Sequence, residues 1–251
     1  MVLIRRLGAL STIALSIAAA LSIAAPAGIA RADDERTNER AALARQRGLP
    51  YTMFELRGGV LALPAATVCP TSLDECETGE VSLTVGLANY YQFGPYGFGA
   101  GINWATTLRN DAARGAPSLE RDHARSYFLI EAYFRYLFVR EKKWEFWASG
   151  SVGGVGINDS WTTKGDREPI AEVQFIGPKA NTIGTIGFSF GPGIGGAYML
   201  VENLSLGASL RYENWILPFT PKTSPEGDVA SLSGRVDMLD LSLTLAYRLP
   251  I

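Results

Sequence analysis

Apolar and polar residues alternate along the last strand-like stretch of the chain. Leu239, Leu241, Leu243, Leu245, Tyr247 and Leu249 are separated by Asp240, Ser242, Thr244, Ala246 and Arg248. A period of two is the side-chain period of a β-strand. The same pattern recurs upstream, with one continuous apolar face and an opposite face that carries Glu, Asp and Arg. Because a soluble barrel would turn its apolar face inward, this pattern predicts strands whose apolar face contacts lipid.

Eight such segments succeed one another after residue 50, and the connections between them alternate in length. Short turns follow the second, fourth and sixth segments, and long polar connections follow the first, third, fifth and seventh. This asymmetry predicts an all-β fold: an eight-stranded antiparallel up-and-down transmembrane β-barrel with short periplasmic turns and long extracellular loops. The predicted strands are approximately Thr52–Leu63, Glu80–Phe93, Tyr96–Thr107, Ser126–Arg140, Trp144–Ile157, Thr182–Leu200, Leu204–Leu217 and the C-terminal stretch.

Aromatic residues fall near both ends of these segments, which predicts two belts at the two lipid interfaces. The belt near the short turns comprises Tyr91, Phe93, Tyr96, Phe98, Tyr136, Phe138, Trp144, Phe146, Tyr198 and Tyr247. The belt near the long connections comprises Trp104, Phe128, Trp161, Trp215 and Phe219.

The first 32 residues have the three parts of a secretory signal peptide. Arg5 and Arg6 precede an apolar run, and Ala30-Arg31-Ala32 is a cleavage site of the small-x-small type. An uncleaved anchor helix is the alternative. Removing residues 1–32 takes away three arginines and no acid, so the formal charge goes from −2 to −5. No basic bias remains that would favour nucleic acid as a partner.

Residues 33–50 are dense in charge and predict a short periplasmic arm before the barrel, which occupies residues 51–251. In this region the chain resembles the OmpA/OmpX-type small outer-membrane barrels, which include opacity-like adhesins. The resemblance covers Tyr51–Ile251 and rests on strand count, alternation and loop asymmetry. It implies a bacterial outer-membrane location, with outer-membrane lipid, the barrel-assembly machinery and periplasmic chaperones as partners. The chain ends in Pro250-Ile251, whereas the family usually ends in an aromatic residue.

The polar faces of the predicted strands supply a candidate interior charge network. An eight-stranded barrel leaves an interior just wide enough for side chains, so charges of both signs are expected to pair and fill it. A gated ion path lined by the same groups is the alternative. The candidate residues are Glu55, Arg57, Glu131, Arg135, Glu145, Arg211, Glu213, Asp240 and Arg248.

Two further sets of residues carry potential chemistry. Cys69 and Cys76 predict a local disulfide in an exported chain, with a metal site as the alternative. His123, Ser126 and Glu131 contain the residue types of a lipid-deacylating barrel enzyme. Because His123 and Ser126 are three positions apart, a strand would place them on opposite faces. We therefore expect no catalytic site, no metal and no cofactor.

These patterns predict a structural or surface-interaction protein of the outer membrane, without catalysis. The long polar loops are candidates for contact with an extracellular ligand. A narrow channel for small solutes or ions is the first alternative, and a lipid-modifying enzyme is a remote one. A soluble lipocalin-like carrier, the remaining class, would require an apolar lumen and a polar exterior.

Overall fold

The protein forms one closed β-barrel. In the computed structural model the described residues are 50–68, 77–113, 116–163, 180–225 and 227–251. They contain eight strands: β1 Tyr51–Val68, β2 Glu77–Phe93, β3 Tyr96–Ala113, β4 Ala116–Arg140, β5 Trp144–Thr163, β6 Ala180–Val201, β7 Leu204–Ile216 and β8 Arg235–Pro250. The predicted signal peptide, the arm at 33–50 except its last residue, and both cysteines lie outside the described residues and stay predictions.

Each strand pairs antiparallel with its neighbours in sequence, and β1 pairs with β8 from Tyr51↔Pro250 to Ala62↔Leu239. The pairing of β1 with β8 therefore closes the sheet, and neither strand is left as an open edge along these residues. The connections after β2, β4 and β6 are tight, and Gly94 takes a positive φ of 56° in the first of them. We call the end with these tight turns the periplasmic end. No helix in the described ranges is long and apolar enough to cross a membrane.

The outer surface carries the apolar face, as the alternation predicts. Side chains such as Leu87, Phe134, Leu241 and Leu243 are exposed, whereas Arg135 and Asp240 are buried inside the ring. The facing is thus that of a barrel surrounded by lipid, not that of a lipocalin-like carrier.

Several strands are longer than the sequence pattern predicts. β4 begins at Ala116 instead of near Ser126, and only residues 114–115 separate it from β3. The prediction of a long connection there is wrong. Beyond Trp104 and Phe128 the outward positions include the polar Thr106 and Ser126, so the continuous apolar face ends while the backbone hydrogen bonds between β3 and β4 continue.

The predicted aromatic belts are correct for most members but wrong for two. Trp161 and Trp215 point into the barrel and are 1% and 0% exposed. Both occupy odd positions, which face inward along β5 and β7. The prediction that these two indole rings lie at the lipid interface, because they are near the long connections, is therefore wrong.

Candidate functional site: the barrel lumen

The structure places every predicted interior charge inside the barrel, where the side chains are buried. Their placement follows from the strand period, which turns every second residue toward the axis. Because ions held in this space lose much of their hydration, each one requires partners. The pairs form successive groups along the barrel axis.

The group nearest the periplasmic end is a fork between Arg248 and Glu145. The two guanidinium nitrogens Nη1 and Nη2 donate to Oε1 and Oε2 at 2.9 and 2.6 Å. This bidentate geometry is the strongest form of a carboxylate–arginine pair. Tyr51 lies beside the fork, with its ring centroid 5.2 Å from the guanidinium carbon of Arg248. The fork joins β5 to β8 across the lumen.

The next group is centred on Glu55, which accepts from two arginines. Arg57 Nε donates to Oε1 at 2.7 Å, and Arg135 Nη2 donates to Oε2 at 2.9 Å. Arg135 lies between two rings, with its guanidinium carbon 4.1 Å from the Tyr90 centroid and 4.2 Å from the Trp147 centroid. Ion pairing and cation–π contacts therefore fix the same side chain from different directions.

A third group surrounds Arg211 with carboxylates. Its Nη1 lies 2.9 Å from both Glu131 and Glu213, and its Nη2 lies 3.6 Å from Asp240. Glu131 also accepts from Tyr133 Oη at 2.8 Å and from Asn103 Nδ2 at 3.1 Å. One guanidinium thus holds three buried carboxylates in place, and removing it would leave all of them without their common partner.

Glycines on the inward faces make room for large neighbours. A β-carbon at Gly195 would come within 2.4 Å of the Trp147 ring, and one at Gly99 would come within 2.8 Å of Tyr90. The space that these glycines leave is therefore occupied by aromatic side chains. It does not widen the lumen into a pore at those positions.

An apolar layer crosses the lumen at the level of the outer aromatic belt. It is a buried cluster contributed by β1, β3, β4, β5, β7, β8 and the β7–β8 connection. This layer departs from the expectation that inward positions are polar. Its members are Leu61, Leu63, Ala66, Ala105, Tyr127, Leu129, Val155, Ile157, Trp215, Leu217, Leu232, Val236 and Met238.

A second polar cluster lies beyond this layer, toward the extracellular end. Asp159 Oδ1 is 2.9 Å from both His123 Nε2 and Arg125 Nε, and Ser231 also donates to it. Arg125 and Tyr127 both donate to Glu80. The outward neighbours at this level, such as Ser126 and Asn158, are polar, so the cluster is outside the hydrocarbon band.

The environment of Asp159 keeps it ionised. Burial alone would raise the pKa of its carboxyl group. The hydrogen bond from His123, the charge of Arg125 and the hydrogen bond from Ser231 outweigh burial and hold the pKa at about 2. Asp159 is therefore ionised at neutral pH, where it accepts hydrogen bonds from the surrounding side chains.

The connection between β7 and β8 folds into the extracellular mouth of the barrel. It contacts both the second polar cluster and the apolar layer. Asp228 accepts from Arg121 Nη1 at 3.1 Å and from Asn181 Nδ2 at 2.8 Å. Ser231 contacts Asp159, and Leu232 is part of the apolar layer. This segment had been predicted only as a polar external loop. No periodic signal marks it, because its buried residues are held by contacts with distant strands.

The structure does not assemble a catalytic set from His123, Ser126 and Glu131. His123 is buried beside Asp159, whereas Ser126 faces outward and Glu131 lies with Arg211. Ser231 is near His123, but its hydroxyl group donates to the Asp159 carboxylate. A nucleophilic serine requires a base that accepts its proton, and this hydroxyl group is not bonded to the imidazole. Within the described part of the chain, no group of three or more His, Cys, Asp or Glu is placed to hold a metal ion.

The eight-stranded closed ring, with lipid-facing side chains outside and charges inside, confirms the predicted fold class. The chain is a transmembrane β-barrel of the outer-membrane architecture. No protein-family model matches its sequence, and no curated protein matches it significantly.

Solved structures with a similar fold include three barrels of low sequence identity. Neisserial surface protein A is 13% identical, covers 79% of this chain and 96% of its own, and gives a TM-score of 0.45. Ail of Yersinia pestis, solved with the heparin analogue sucrose octasulfate, is 12% identical with coverages of 79% and 98% and a TM-score of 0.46. A major outer membrane protein from Thermus thermophilus is 16% identical, with coverages of 79% and 98% and a TM-score of 0.49. At these identities the likeness concerns the fold alone.

Proposed function

We propose that this protein is a non-conducting outer-membrane barrel that has a structural or surface-interaction role and performs no catalysis. The observation that carries the proposal is the apolar layer across the lumen, together with the β7–β8 connection that folds above it. Ions cross a low-dielectric region only at a large energetic cost. A layer that contains Tyr127, Trp215 and Met238 therefore opposes a continuous aqueous path.

The extension of the barrel beyond the outer belt supports a role at the cell surface. From Trp104 to the end of β3 at Ala113 the strand continues for about 30 Å at the usual rise per residue. Outward positions of β4 and β5 in this zone include the polar Asp122 and Ser160. The β3–β4 hairpin therefore extends beyond the outer aromatic belt, on the side where scaffolds commonly present binding loops.

Single-channel recording in planar bilayers tests the closed lumen. Wild-type protein is expected to show no steady conductance, whereas a porin prepared in the same way conducts. A Trp215→Ala variant serves as the internal control. A conductance that appears in the wild type and increases in this variant passes through the lumen, and it would refute the proposal. A conductance that the variant leaves unchanged comes from a contaminating protein.

Shortening the β3–β4 hairpin tests the surface role. A variant that ends β3 near Thr107 and resumes β4 near Arg125 should retain heat-modifiable gel mobility, because the barrel body is unchanged. Attachment of cells to surfaces or to other cells is expected to fall with this variant but not with silent substitutions. Equal attachment by cells with the wild-type protein and cells with the shortened hairpin would contradict the surface-interaction role. Unchanged detergent sensitivity of cells after deletion of the whole gene would contradict the structural role.

One observation favours the alternative of a narrow channel. Ser205 and Ser209, on the periplasmic side of the apolar layer, and Ser189, opposite Trp215, have buried hydroxyl groups without a hydrogen-bond partner among the described residues. Buried hydroxyl groups of this kind are usually satisfied by water, and such water would hydrate the periplasmic part of the lumen. A channel would need only the apolar layer to open, and this is the step that the Trp215 variant probes.

A further inference from the structure

The lipid-facing surface has a groove where β8, β1, β2 and β3 lie side by side. The groove has a volume of about 480 Å³, which is within the usual range for small-molecule sites. Ala100 and the backbone at Gly101 form a low floor between bulkier neighbours. The side chains around it are mostly apolar and include Phe54, Leu56, Leu87, Ile102, Leu245 and Tyr247.

Asn89 places a carboxamide group in this apolar groove. It points outward on β2, opposite Phe54 of β1 and Ala100 of β3. Its Nδ2 donates one long hydrogen bond of 3.5 Å to the carbonyl oxygen of Met53. A polar side chain that faces hydrocarbon is costly unless it finds a partner, and in membrane proteins it marks a functional position by default. Asn89 therefore has hydrogen-bonding capacity left for a molecule in the groove.

The position of Asn89 identifies the leaflet. Along the outward face of β2 the next residues toward the periplasmic turn are Tyr91 and Phe93, both in the periplasmic aromatic belt. Leu87 and Ile102 lie on the other side, toward the centre of the membrane. The groove thus has a polar end at the depth of the belt and an apolar end that runs into the hydrocarbon.

We propose that this groove binds one phospholipid of the periplasmic leaflet. One acyl chain lies over Ala100 against Leu87 and Ile102, and an ester carbonyl oxygen of the same lipid accepts a hydrogen bond from Asn89 Nδ2. The polarity of the groove matches that of the lipid, whose ester groups lie between the headgroup and the chains. The site is separate from the lumen, so it does not depend on whether the lumen conducts.

A second copy of this chain is the other occupant to consider. A protein partner would have to offer an apolar ridge and a hydrogen-bond acceptor for Asn89 at one depth in the membrane. A phospholipid has both parts in the required order, and it surrounds the barrel in any bilayer. We therefore commit to the lipid, and dimerisation through the groove is an outcome that the experiment can detect.

Native mass spectrometry of the full protein in mild detergent tests the proposal, with dioleoylphosphatidylethanolamine as the titrated lipid. Wild-type protein is expected to retain one lipid at a lower lipid concentration than any that follow. Asn89→Leu should raise the half-saturating concentration for this first lipid about 2- to 10-fold, as expected for one lost hydrogen bond. Asn89→Gln should restore part of the binding, and Ala100→Leu should weaken it by filling the floor.

The matched control is Ala148→Leu, which makes the same change at an outward position on β5 away from the groove. Heat-modifiable gel mobility verifies that every variant is folded. A dialkyl ether analogue of the lipid, which lacks the ester carbonyl groups, isolates the proposed bond. It should bind the wild type more weakly than the ester lipid does. The Asn89→Leu variant, which lacks the donor, should bind the ether and ester lipids equally well.

Three results would overturn the proposal. The first is the absence of a distinct first lipid in the wild type. The second is equal binding by Asn89→Leu, Ala100→Leu and Ala148→Leu. The third is a wild-type dimer that Ala100→Leu dissociates, because the groove would then be an interface between two copies.

Discussion

Replacing Arg211 is expected to be among the most destabilising single changes in the lumen. Arg211→Met keeps the length of the side chain but removes the charge that Glu131, Glu213 and Asp240 share. At an effective dielectric constant of about 20, each close contact supplies roughly 5 kcal/mol of attraction. Much of this is offset by the desolvation that folding already imposes on the ions. The net effect of removing one partner from such a buried group is about 3 to 5 kcal/mol.

Urea unfolding of the protein in lipid vesicles, monitored by gel mobility, measures this loss in the free energy of unfolding. A matched control is Lys222→Met, which removes an exposed cation whose Nζ donates to the Gly184 carbonyl oxygen at 2.6 Å. That change should cost less than about 1 kcal/mol. The double variant Arg211→Met with Glu131→Gln should recover part of the stability, because a carboxylate that lies 2.9 Å from Arg211 in the wild type is then neutral.

The result that would refute this reasoning is a loss for Arg211→Met no larger than that for Lys222→Met. It would mean that water reaches the carboxylates freely and screens them. The paired-core account of the lumen would then fail, and an aqueous path past Arg211 would become the better explanation.

Further predictions concern the apolar layer, the upper cluster and the cysteines. Trp215→Ala should lower the free energy of unfolding by about 3 to 5 kcal/mol, whereas Phe219→Ala, at an 84% exposed position, should lower it less, because it leaves no cavity inside the barrel. Because the folded-state pKa of Asp159 lies near 2, below its usual 3.8, its stabilising effect is complete above about pH 4 and disappears as the pH falls toward 2. The stability difference between the wild type and Asp159→Asn, measured by urea unfolding at several pH values, should therefore shrink over that interval; a constant difference would contradict the assignment. Maleimide should label Cys69 and Cys76 only after reduction, and labelling without a reductant would show that the predicted disulfide is absent.

The period-two pattern predicted the fold because it records which side chains meet lipid. It placed the strand bodies and the interior charges such as Glu55 and Arg135 from their positions alone. The same rule, applied strictly, also turns Trp161 and Trp215 inward, because both occupy odd positions and odd positions face inward in β5 and β7. Their assignment to the belt followed residue type, and position in the strand proved to be the better guide.

The extracellular part was harder to predict for a physical reason. Beyond the lipid, water contacts the outer face, so the outward residues of β3, β4 and β5 become polar and the contrast between the two faces fades. The burial of Asp228, Ser231 and Leu232 depends on partners more than fifty residues away in sequence, such as Arg121 and Asp159. Local periodicity contains no information about such contacts.

The interior of the barrel changes character at the level where its exterior does. Between the two aromatic belts the outside is apolar and the inside carries the paired charges around Glu55 and Arg211. At the outer belt the inside becomes apolar, with Trp215 and Met238 in the lumen. If this layer separates the charges from extracellular water, as proposed, their pairing is solvated mainly from the periplasmic end and is stronger than it would be in an open pore. Weakening the apolar layer should then also weaken the charge pairs beneath it.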